Sequence, residues 1–590
     1  MVLIEWIKIN GFRNFDNETI NLANQTLIIG ANDVGKTNLI YALRILFDRS
    51  LSEKDLELYD SDYNVITKAQ NMEITVKITE IQEDCLISTF KGDLQSGVVY
   101  IQYKNSKSGE YTILAGHSEE TLEVKQSRFY IKRLNMECVN TTRNLTSLMK
   151  RERNQILNDS KLSLAEKLME ADEKSIGEMK VDLNTMNSKI DNLNYIKKSL
   201  ENVNAELGDL AIHNKSQILS FKNANSDIVQ MLDNLELTYA SDNETLTLGG
   251  EGRNNQIFIA TWVAKQKNRR TLEKVTFFAI EEPEAHLHPH QQRKLSNYLL
   301  KNFAEQVFIT THSPHIASEF RPDKIVKLYQ KHKLTKVARG GCSEAIKLDF
   351  DDFGYRLDAI TSDVFFVNAV LLVEGPSEKL FYTALSQKLN IDLDYLNVSI
   401  ISVNGIGFKP YVKICLALDI PFVLRTDNDI FNKSHKVSPS VSIELSYQAG
   451  ISRVMGIYEE LLERGNEALL EYWKLNQKDN EWLEKVSIPE KAKLLSEYIT
   501  KAIEKDNIYL SMKDLENDLV ESKLYSFLKK FYNTTTKKST VKKMQKAKAE
   551  NMLSFLKSNI NNLEVLKGDK IAEPLEQIKI LAERVVLNNG

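Results

Sequence analysis

The stretch Gly30-Ala31-Asn32-Asp33-Val34-Gly35-Lys36-Thr37 lies between an apolar run at 25–29 and a segment at 37–47 whose apolar residues recur at helical spacing. Its glycines let backbone N–H groups turn inward around phosphate oxygens, while Lys36 supplies a cation and Thr37 a hydroxyl for Mg²⁺. The flanks predict a buried strand before the loop and a helix after it. We therefore predict an α/β fold with a nucleotide site formed by Asn32, Gly35, Lys36, Thr37 and Asn38.

Acidic residues follow a second apolar run, at 275–280, in the order Glu281-Glu282-Pro283-Glu284. Carboxylates at the carboxyl end of a buried strand can complete a Mg²⁺ shell and orient an attacking water. A further apolar run, at 307–311, ends at His312. A histidine there is either a hydrogen-bonded loop residue or a sensor of the terminal phosphate, and we favour the sensor because the two strands can lie side by side.

A second group of acidic residues also follows apolar runs. Glu374-Gly375-Pro376-Ser377-Glu378 comes after the run at 364–373, and Asp427-Asn428-Asp429 comes after the run at 421–425. Continuous apolar runs are typical of parallel strands buried on both faces, and the carboxyl ends of such strands meet at one sheet edge. Carboxylate oxygens suit Mg²⁺ or Mn²⁺. We therefore predict a divalent-metal site with Glu374, Glu378, Asp427 and Asp429 as ligands.

Composition is that of an ordinary globular protein. The chain has 590 residues, 42% of them hydrophobic and 27% charged, which predicts two to four domains. No run is apolar for long enough to cross a bilayer, and the N-terminus reads as a strand, so we expect no membrane association and a cytoplasmic location. The four cysteines lie far apart and suggest neither a zinc ribbon nor a disulfide framework. The net charge of −4 still allows a local DNA-binding groove.

The patterns divide the chain into four segments. Residues 1–140 and 233–350 form the two parts of the nucleotide-binding domain, 141–232 a helical insertion, and 360–590 a second α/β domain with helical C-terminal additions. In the insertion, Leu, Met and Ile recur every three or four residues. This pattern fits a packed helical hairpin or a dimerising arm. The tail beyond about 440 is predicted to be mostly helical.

Two local patterns leave alternatives open. Lysines cluster between 529 and 548, and the cluster is either a solvated helix surface or a track for the DNA backbone. His286, His288 and His290 have spacing that could place two rings on one helical face, but Pro289 interrupts the run, so we disfavour metal binding there.

The nucleotide motifs resemble those of the ABC ATPase superfamily, in its SMC and RecF-like branch. By this resemblance Arg13 contacts the nucleotide, Glu281 and Glu282 stand at the Mg²⁺ and catalytic positions, and His312 is the switch histidine. The sequence departs from that family where Glu281 replaces an aspartate, and its signature segment is at best 248–253. In this superfamily the signature acts across a dimer, so the resemblance implies a homo-oligomer.

The second acidic group resembles a Toprim domain, with the intervening Val403-Asn404-Gly405-Ile406-Gly407 in the place of its middle loop. An ABC-type ATPase followed by Toprim resembles the OLD family of nucleases. That resemblance implies Glu516 as a further metal ligand, helped by Asp514 or Asp518. It also implies a catalytic lysine, either Lys548 or Lys546, which would neutralise the scissile phosphate.

The combined motifs also resemble the nuclease subunits of Gabija antiphage systems. This resemblance implies an endonuclease that nicks double-stranded DNA with Mg²⁺ or Mn²⁺, is restrained by ATP, forms a dimer or tetramer, and works in the bacterial cytoplasm beside a GajB-like helicase of the UvrD type. The alternative from another class is an SMC- or RecF-like DNA-binding ATPase with a standalone OLD-type role in DNA repair or processing.

Overall fold

The computed structural model describes residues 1–107, 110–140, 157, 160–161, 164–210, 228–233, 238–241, 244–247, 250–268, 273–342, 361–405, 407–438, 441–462 and 464–589. The chain divides into two compact units, one formed by Met1–Thr141 with Thr271–Gly590 and the other by Thr142–Arg270. The second unit continues past 232, where the sequence predicts the helical insertion to end.

The larger unit begins with a six-stranded antiparallel sheet. Its strands alternate buried apolar and exposed polar residues because one face packs on the core. The strand order is β2-β1-β4-β5-β6-β7. The strands are β1 (Leu3–Phe12), β2 (Phe15–Asn21), β4 (Asn71–Thr79), β5 (Val99–Ser106), β6 (Thr112–Gly116) and β7 (Glu123–Lys125).

A second six-stranded sheet carries the nucleotide motifs. All its neighbouring strands run parallel except one edge hairpin, and the order is β14-β13-β3-β12-β11-β8. The strands are β3 (Gln25–Ile29), β8 (Leu134–Val139), β11 (Val275–Glu281), β12 (Val307–Thr310), β13 (Ile325–Lys331) and β14 (Leu334–Val337). The helices of this part are α1 (Lys36–Phe47), α2 (Glu53–Leu56), α3 (Asp84–Phe90), α8 (Pro289–Asn302) and α9 (Pro314–Ala317). The predicted strand at 25–29 and helix at 37–47 are confirmed.

A four-stranded parallel sheet forms the centre of the C-terminal part, in the order β16-β15-β17-β21. Every residue of β15 is buried, as expected for a strand covered on both faces. The strands are β15 (Ala369–Val373), β16 (Val398–Ser402), β17 (Phe422–Thr426) and β21 (Ile508–Leu510). The apolar run at 364–373 is only partly a strand, because Thr361–Phe365 forms a 3-10 helix before it.

The tail after about 440 is mostly helical, as predicted, but an antiparallel sheet that the sequence did not predict lies around its start. Three antiparallel strands stand there: β18 (Ile430–Ser438), β19 (Val441–Gln448) and β20 (Glu481–Leu483). The helices of the C-terminal part are α10 (Pro376–Lys388), α11 (Lys409–Ala417), α12 (Ala449–Leu461), α13 (Glu467–Asn476), α14 (Glu490–Ile503), α15 (Leu515–Glu521), α16 (Tyr525–Phe531), α17 (Lys537–Gln545), α18 (Lys548–Asn559) and α19 (Glu573–Asn589).

The smaller unit contains the helices predicted for the insertion. They are α4 (Glu166–Asp191), α5 (Asn194–Leu210) and α6 (Ile228–Asp233). Beyond the predicted end of the insertion at 232, the same unit contains a hairpin of β9 (Thr238–Ser241) and β10 (Glu244–Thr247), followed by α7 (Glu251–Asn268). Leu248 and Gly249 of the candidate signature segment lie outside the described residues. Its role across a dimer, and the dimerising arm, stay predictions. In the part of the chain that the structure describes, no helix is long and apolar enough to span a membrane.

Candidate functional site

The predicted phosphate-binding loop, or P-loop, at 30–37 connects β3 to α1, and two of its positions require glycine. Gly35 has a φ of 105° and precedes the first residue of α1. Any side chain at Gly30 would place its Cβ 2.5 Å from the carbonyl oxygen of Leu328, inside contact distance. Glycine is therefore demanded by backbone conformation at one position and by a close approach of backbone at the other. Asn32 is exposed at the tip of the loop.

Lys36 folds back on its own loop. Its Nζ donates to the carbonyl oxygens of Gly30, at 2.9 Å, and Ala31, at 2.8 Å. Burial lowers the pKa of Lys36 to about 8, although the carboxylates of Glu282 and Glu284 act in the opposite direction. Negative charge nearby stabilises a buried ammonium group, so phosphate oxygens would bind favourably at Lys36.

The predicted carboxylates stand beside the P-loop. Thr37 Oγ1 donates to Glu281 Oε2 at 3.2 Å, so the two residues expected to serve Mg²⁺ already touch. Glu282 has a φ of 44°, and its N–H donates to the carbonyl oxygen of Thr310. His312 Nε2 lies 3.3 Å from Glu282 Oε1. Burial and nearby Lys36 lower the pKa of His312, which favours the neutral imidazole.

Glu284 anchors the segment that carries the histidine. Its Oε1 accepts hydrogen bonds from Thr311 Oγ1, at 2.6 Å, and from the His312 N–H, at 2.8 Å. Burial raises the pKa of Glu284, and its Oε2 is buried with no hydrogen-bond partner among the described residues. An unsatisfied carboxylate oxygen beside Lys36 is consistent with a site built for a cation-bearing ligand.

Arg13 approaches α1 from the turn between β1 and β2. Its Nε lies 2.8 Å from Asp62 Oδ1, its Nη1 donates to Asn38 Oδ1 at 2.8 Å, and its guanidinium stands 4.5 Å from the ring centre of Tyr41. Asn38 in turn donates to Asn14 Oδ1. The structure thus brings Arg13 and Asn38 together at the start of α1.

The three histidines after β11 have a different setting. Arg293 Nη2 lies 2.8 Å from His290 Nδ1, and its Nη1 lies 3.2 Å from His315 Nδ1. His288 is the residue before the first turn of α8. The Arg293 guanidinium thus contacts both the His290 and the His315 rings, and these contacts connect α8 with α9.

The second acidic group meets at the carboxyl edge of the parallel sheet. We call this place, with Glu374, Asp427 and Glu516, the acidic edge. Glu374 follows β15 and Asp427 follows β17, and these strands are hydrogen-bonded neighbours. Glu374 Oε2 accepts the Asp427 N–H at 2.9 Å and the Thr426 hydroxyl at 3.1 Å. The two residues predicted from separate apolar runs are therefore in direct contact.

A buried arginine, which the sequence reading did not assign, stands beneath this edge. Arg425 is 3% exposed, and its guanidinium binds Glu378 Oε1 at 2.8 Å and Asp518 Oδ2 at 2.7 Å. Asp427 Oδ1 lies 3.8 Å away. Glu378 Oε2 also accepts the Gly375 N–H. Both carboxylate oxygens of Glu378 therefore already bind protein groups. This predicted metal ligand holds Arg425 and the turn at Gly375 in place. A charged residue inside the apolar run at 421–425 was the signal available in the sequence.

Lys548 bridges the remaining carboxylates. Its Nζ lies 3.2 Å from Glu516 Oε2 and 3.6 Å from Asp427 Oδ2, so of the two lysines considered Lys548 reaches the acidic edge. Burial, with Glu378 nearby, raises the pKa of Asp427 to about 8, and burial also raises the pKa of Glu516. The same carboxylates raise the pKa of Lys548 against the effect of its burial.

Asp429 and Asp514 lie at the margin of the group. Asp514 precedes α15, and its Oδ1 accepts the Asn517 N–H at 2.8 Å as a helix cap. Gln545 donates to its other oxygen. Burial raises the pKa of Asp429, and the charges that act on it include Lys548, Asp514 and Glu374. Asp429 is partly exposed whereas Asp514 is buried, and the charges that act on Asp429 are those of the acidic edge.

A third cation, Arg453, was also missed. It lies on α12, its Nη1 contacts Glu374 Oε2 at 2.9 Å, and it donates to the Thr426 hydroxyl. Neither its helix nor its distance in sequence from Glu374 gave a signal, because the intervening β18–β19 hairpin was not predicted. Arg425, Lys548 and Arg453 each hold a different part of the acidic edge.

The donor set fits a divalent ion. Glu374, Asp427 and Glu516 offer carboxylate oxygens, and Glu516 Oε2 is buried without a hydrogen bond, although it forms an ion pair with Lys548. Among the residues that the structure describes, no three His, Cys, Asp or Glu side chains are arranged as a ready-made metal site. Lys548 pairs with Glu516 and Asp427, and Arg453 pairs with Glu374, so a divalent ion would compete with these two cations for the carboxylate oxygens.

The ATPase and C-terminal parts of the larger unit meet behind the P-loop. Arg339, after β14, binds Asp419 at 3.2 Å and the carbonyl oxygen of Leu416 at 3.0 Å. A cavity of about 230 Å³ separates Gly30 and Ala31 from 365–368. Lys327 of β13 lines this cavity, and its burial lowers its pKa to about 8. The phosphate loop and the C-terminal part thus share a boundary.

Two family models match the chain. One, described as an AAA ATPase domain, matches residues 3–161 and 139–317, and together these segments make up more than half of the chain. The other, described as the TOPRIM domain of proteins like the overcoming lysogenization defect protein, matches residues 365–429. The second match ends at Asp429, so it contains both strands that deliver Glu374 and Asp427.

Two curated proteins illustrate what this chain is similar to in sequence. The endonuclease GajA of Bacillus cereus (strain VD045) is 27% identical over 94% of this chain and 95% of its own. The OLD nuclease of Thermus scotoductus is 29% identical over 35% of this chain and 40% of its own. Among solved structures, the C-terminal region of the Xanthomonas campestris pv. campestris OLD protein covers 38% of this chain and 97% of that chain, with 19% identity and a TM-score of 0.22. The ATPase match covers more than half of the chain, so the chain belongs to the AAA ATPase domain family, and the Toprim match, with the similarity to GajA and to the OLD nuclease, identifies an OLD-like Toprim domain after it.

Proposed function

We propose that this protein is a divalent-metal-dependent DNA endonuclease whose cutting is restrained by bound ATP. One observation carries the proposal: Glu374 and Asp427, from neighbouring parallel strands, are in hydrogen-bond contact at one sheet edge, with Glu516 and Lys548 beside them. The nuclease names of the relatives GajA and OLD support the same activity.

In the proposed site, Glu374, Asp427 and Glu516 hold Mg²⁺ or Mn²⁺, with Asp429 next to them. A divalent ion bound there activates water and stabilises the leaving oxygen of a phosphodiester. Lys548, which is 43% exposed, places its ammonium where a phosphate can reach it from solvent. Arg425 and Glu378 lie deeper and fix the loops that carry the ligands. Asp514 acts in the same way, by capping α15 next to Glu516.

In the nucleotide site, Lys36 and Arg13 contribute positive charge, Thr37 and Glu281 serve Mg²⁺, and Glu282 with His312 stands where the terminal phosphate would lie. The shared boundary between the P-loop and the C-terminal part supports a restraint by nucleotide, since a change in the loop alters the surface that Arg339 and Asp419 hold together. Rapid hydrolysis is not required for this role.

The lysines between 529 and 548 form the proposed path of the DNA backbone. Lys529, Lys530, Lys538, Lys542 and Lys546 are exposed on or beside α16 and α17. These helices connect α15, which carries Glu516, to α18, which begins with Lys548. A basic surface joined at both ends to the acidic edge is suited to carry a phosphate backbone across it.

The biological setting extends the proposal. Similarity to GajA along nearly the whole chain supports a role in antiphage defence in the bacterial cytoplasm, with double-stranded phage DNA as substrate. We further propose a homo-oligomer, a dimer or tetramer, and a GajB-like helicase of the UvrD type as partner. The defence role and the helicase partner are tested by plating phage on cells that express this protein with and without the helicase. Loss of protection in the Glu374→Gln strain supports the defence role, and equal plaque counts in all strains contradict it.

Supercoiled plasmid tests the enzymatic proposal. With Mg²⁺ or Mn²⁺ the wild-type protein should produce nicked circles, while Glu374→Gln and Asp427→Asn should leave the plasmid intact. ATP should slow the wild type and leave Lys36→Met unaffected. Cutting by both acidic-site variants at the wild-type rate would refute the site assignment.

The same assay separates the alternative, a DNA-binding ATPase with a repair or processing role. Such a protein would shift DNA in a gel in an ATP-dependent way but would leave supercoiled plasmid uncut at every metal concentration. Product accumulation that depends on Glu374 excludes this alternative.

A further inference from the structure

Arg453 forms a partly exposed ion pair with Glu374 at the acidic edge. Its guanidinium contacts Glu374 Oε2 at 2.9 Å, the Thr426 hydroxyl, and the carbonyl oxygen of Asp427 at 3.4 Å. The acceptors lie at the last residue of β17 and in the loops that follow β15 and β17. The arginine would thus compete with a divalent ion for Glu374 Oε2.

The helix that carries Arg453 is fixed to the metal loop. Ala449 N–H donates to the carbonyl oxygen of Asp429 at 2.8 Å, and Ile451 N–H donates to Asn428 Oδ1 at 3.2 Å. A Cβ at Gly450 would lie 2.4 Å from the carbonyl oxygen of Asp427, so α12 packs against this loop at backbone distance. Arg453, one turn further along, therefore has a defined position relative to Asp427.

The exposure of the three cations separates their roles. The side chain of Arg425 is 3% exposed and paired on two sides, whereas the side chains of Lys548 and Arg453 are 43% and 26% exposed. Lys548 and Arg453 can therefore leave the carboxylates while Arg425 stays. Lys548 contacts Glu516 and Asp427, and Arg453 contacts Glu374, so the two movable cations flank the acidic edge from different helices.

We propose that Arg453 is a second phosphate-binding cation of the nuclease site, which pairs with Glu374 until a divalent ion replaces it and then contacts the DNA backbone. This inference rests on the proposed function and assigns the residue within it. A guanidinium suits both states, because its planar fork matches a carboxylate and a phosphate equally well.

The proposal makes two opposite demands on an Arg453 variant. Removing a cation that competes for Glu374 should tighten Mn²⁺ binding, by about 3- to 10-fold for a partly exposed ion pair. Removing a phosphate contact should slow DNA cleavage at saturating Mn²⁺, by about 10²-fold or more. A residue with a merely structural role would weaken metal binding and cleavage together.

The experiment compares the full-length wild type with Arg453→Gln and Arg453→Lys, and uses the exposed Arg464→Gln as a control for net charge. Mn²⁺ affinity is measured without DNA by titration calorimetry, and plasmid nicking is measured at saturating Mn²⁺. We expect tighter Mn²⁺ binding with slower nicking for Arg453→Gln, partial recovery of nicking for Arg453→Lys, and wild-type values for Arg464→Gln.

Two results would overturn the inference while leaving the proposed function in place. One is unchanged or weaker Mn²⁺ binding by Arg453→Gln, and the other is nicking by that variant at the wild-type rate. If the wild-type chain neither binds Mn²⁺ nor nicks DNA, the proposed function and this inference fail together.

Discussion

Replacing Arg425 by methionine removes a buried cation that pairs with carboxylates of the acidic edge. Glu378 and Asp427 are 5% and 6% exposed, and Asp518 is 18% exposed, so water cannot easily replace the guanidinium. Breaking a buried ion pair by removing one partner costs about 3–5 kcal/mol, because the other charge stays buried and uncompensated. We expect Arg425→Met to lose that amount in the absence of divalent ions.

Urea denaturation followed by circular dichroism, in EDTA, measures this loss. With a slope of about 3 kcal/mol per molar urea, the midpoint of unfolding of the larger unit should fall by about 1–2 M. Arg453→Met is the matched control: it also removes an arginine from the acidic edge, but from a partly exposed position, and should cost about 1 kcal/mol or less. Equal midpoints for wild type and Arg425→Met would refute the reasoning.

The pH dependence of the same variant has a definite sign. Burial raises the pKa of Glu378, Asp427 and Asp518, and Arg425 opposes that rise at each of them. Without Arg425 the folded state keeps protons that the unfolded state, with carboxyl pKa values of about 4, releases. Stability then falls as pH rises above about 4. The deficit of Arg425→Met should be larger at pH 8 than at pH 5, and a deficit that grows toward acid would contradict this account.

Three further outcomes are expected. Lys36→Met should weaken binding of a fluorescent ATP analogue by at least about 100-fold, since the P-loop cation is lost, without changing the melting temperature; retained affinity would contradict the nucleotide site. Arg339→Ala should leave ATP affinity and nucleotide-free nicking unchanged but weaken the restraint by ATP, because it loosens the boundary at Asp419; full restraint would exclude this contact as the link. Mn²⁺ affinity, measured by calorimetry, should rise with pH up to about 8 and then level off, because Asp427 must lose a proton with a pKa of about 8 before it binds the ion; a flat profile between pH 6.5 and 9 would contradict its place among the ligands.

Much of this architecture could be predicted because each motif directly follows an apolar run, and such runs form buried parallel strands. An apolar run followed by a glycine loop and a helical pattern predicted β3 and α1, and the runs before Glu374 and Asp427 predicted neighbouring parallel strands. Carboxyl ends of parallel strands share an edge, so contact between residues 53 positions apart followed from local patterns alone.

The cations of the site could not be predicted in the same way. Arg453 reaches Glu374 only because the β18–β19 hairpin returns the chain to the sheet edge, and β18 has polar residues on both of its faces, which hid it from a periodicity argument. Arg425 was visible as a charge in an apolar run, but its partners Glu378 and Asp518 come from helices on either side in sequence. Partner choice of this kind depends on tertiary packing.

The central claim is that Glu374 and Asp427 hold one divalent ion between them. Crystals of the full-length protein soaked in Mn²⁺ and measured for anomalous scattering test it most directly. The account predicts an anomalous peak bonded to carboxylate oxygens of both residues, with Arg453 turned away from Glu374. A fully soaked crystal with its peaks elsewhere, and with Arg453 still bound to Glu374, would contradict it.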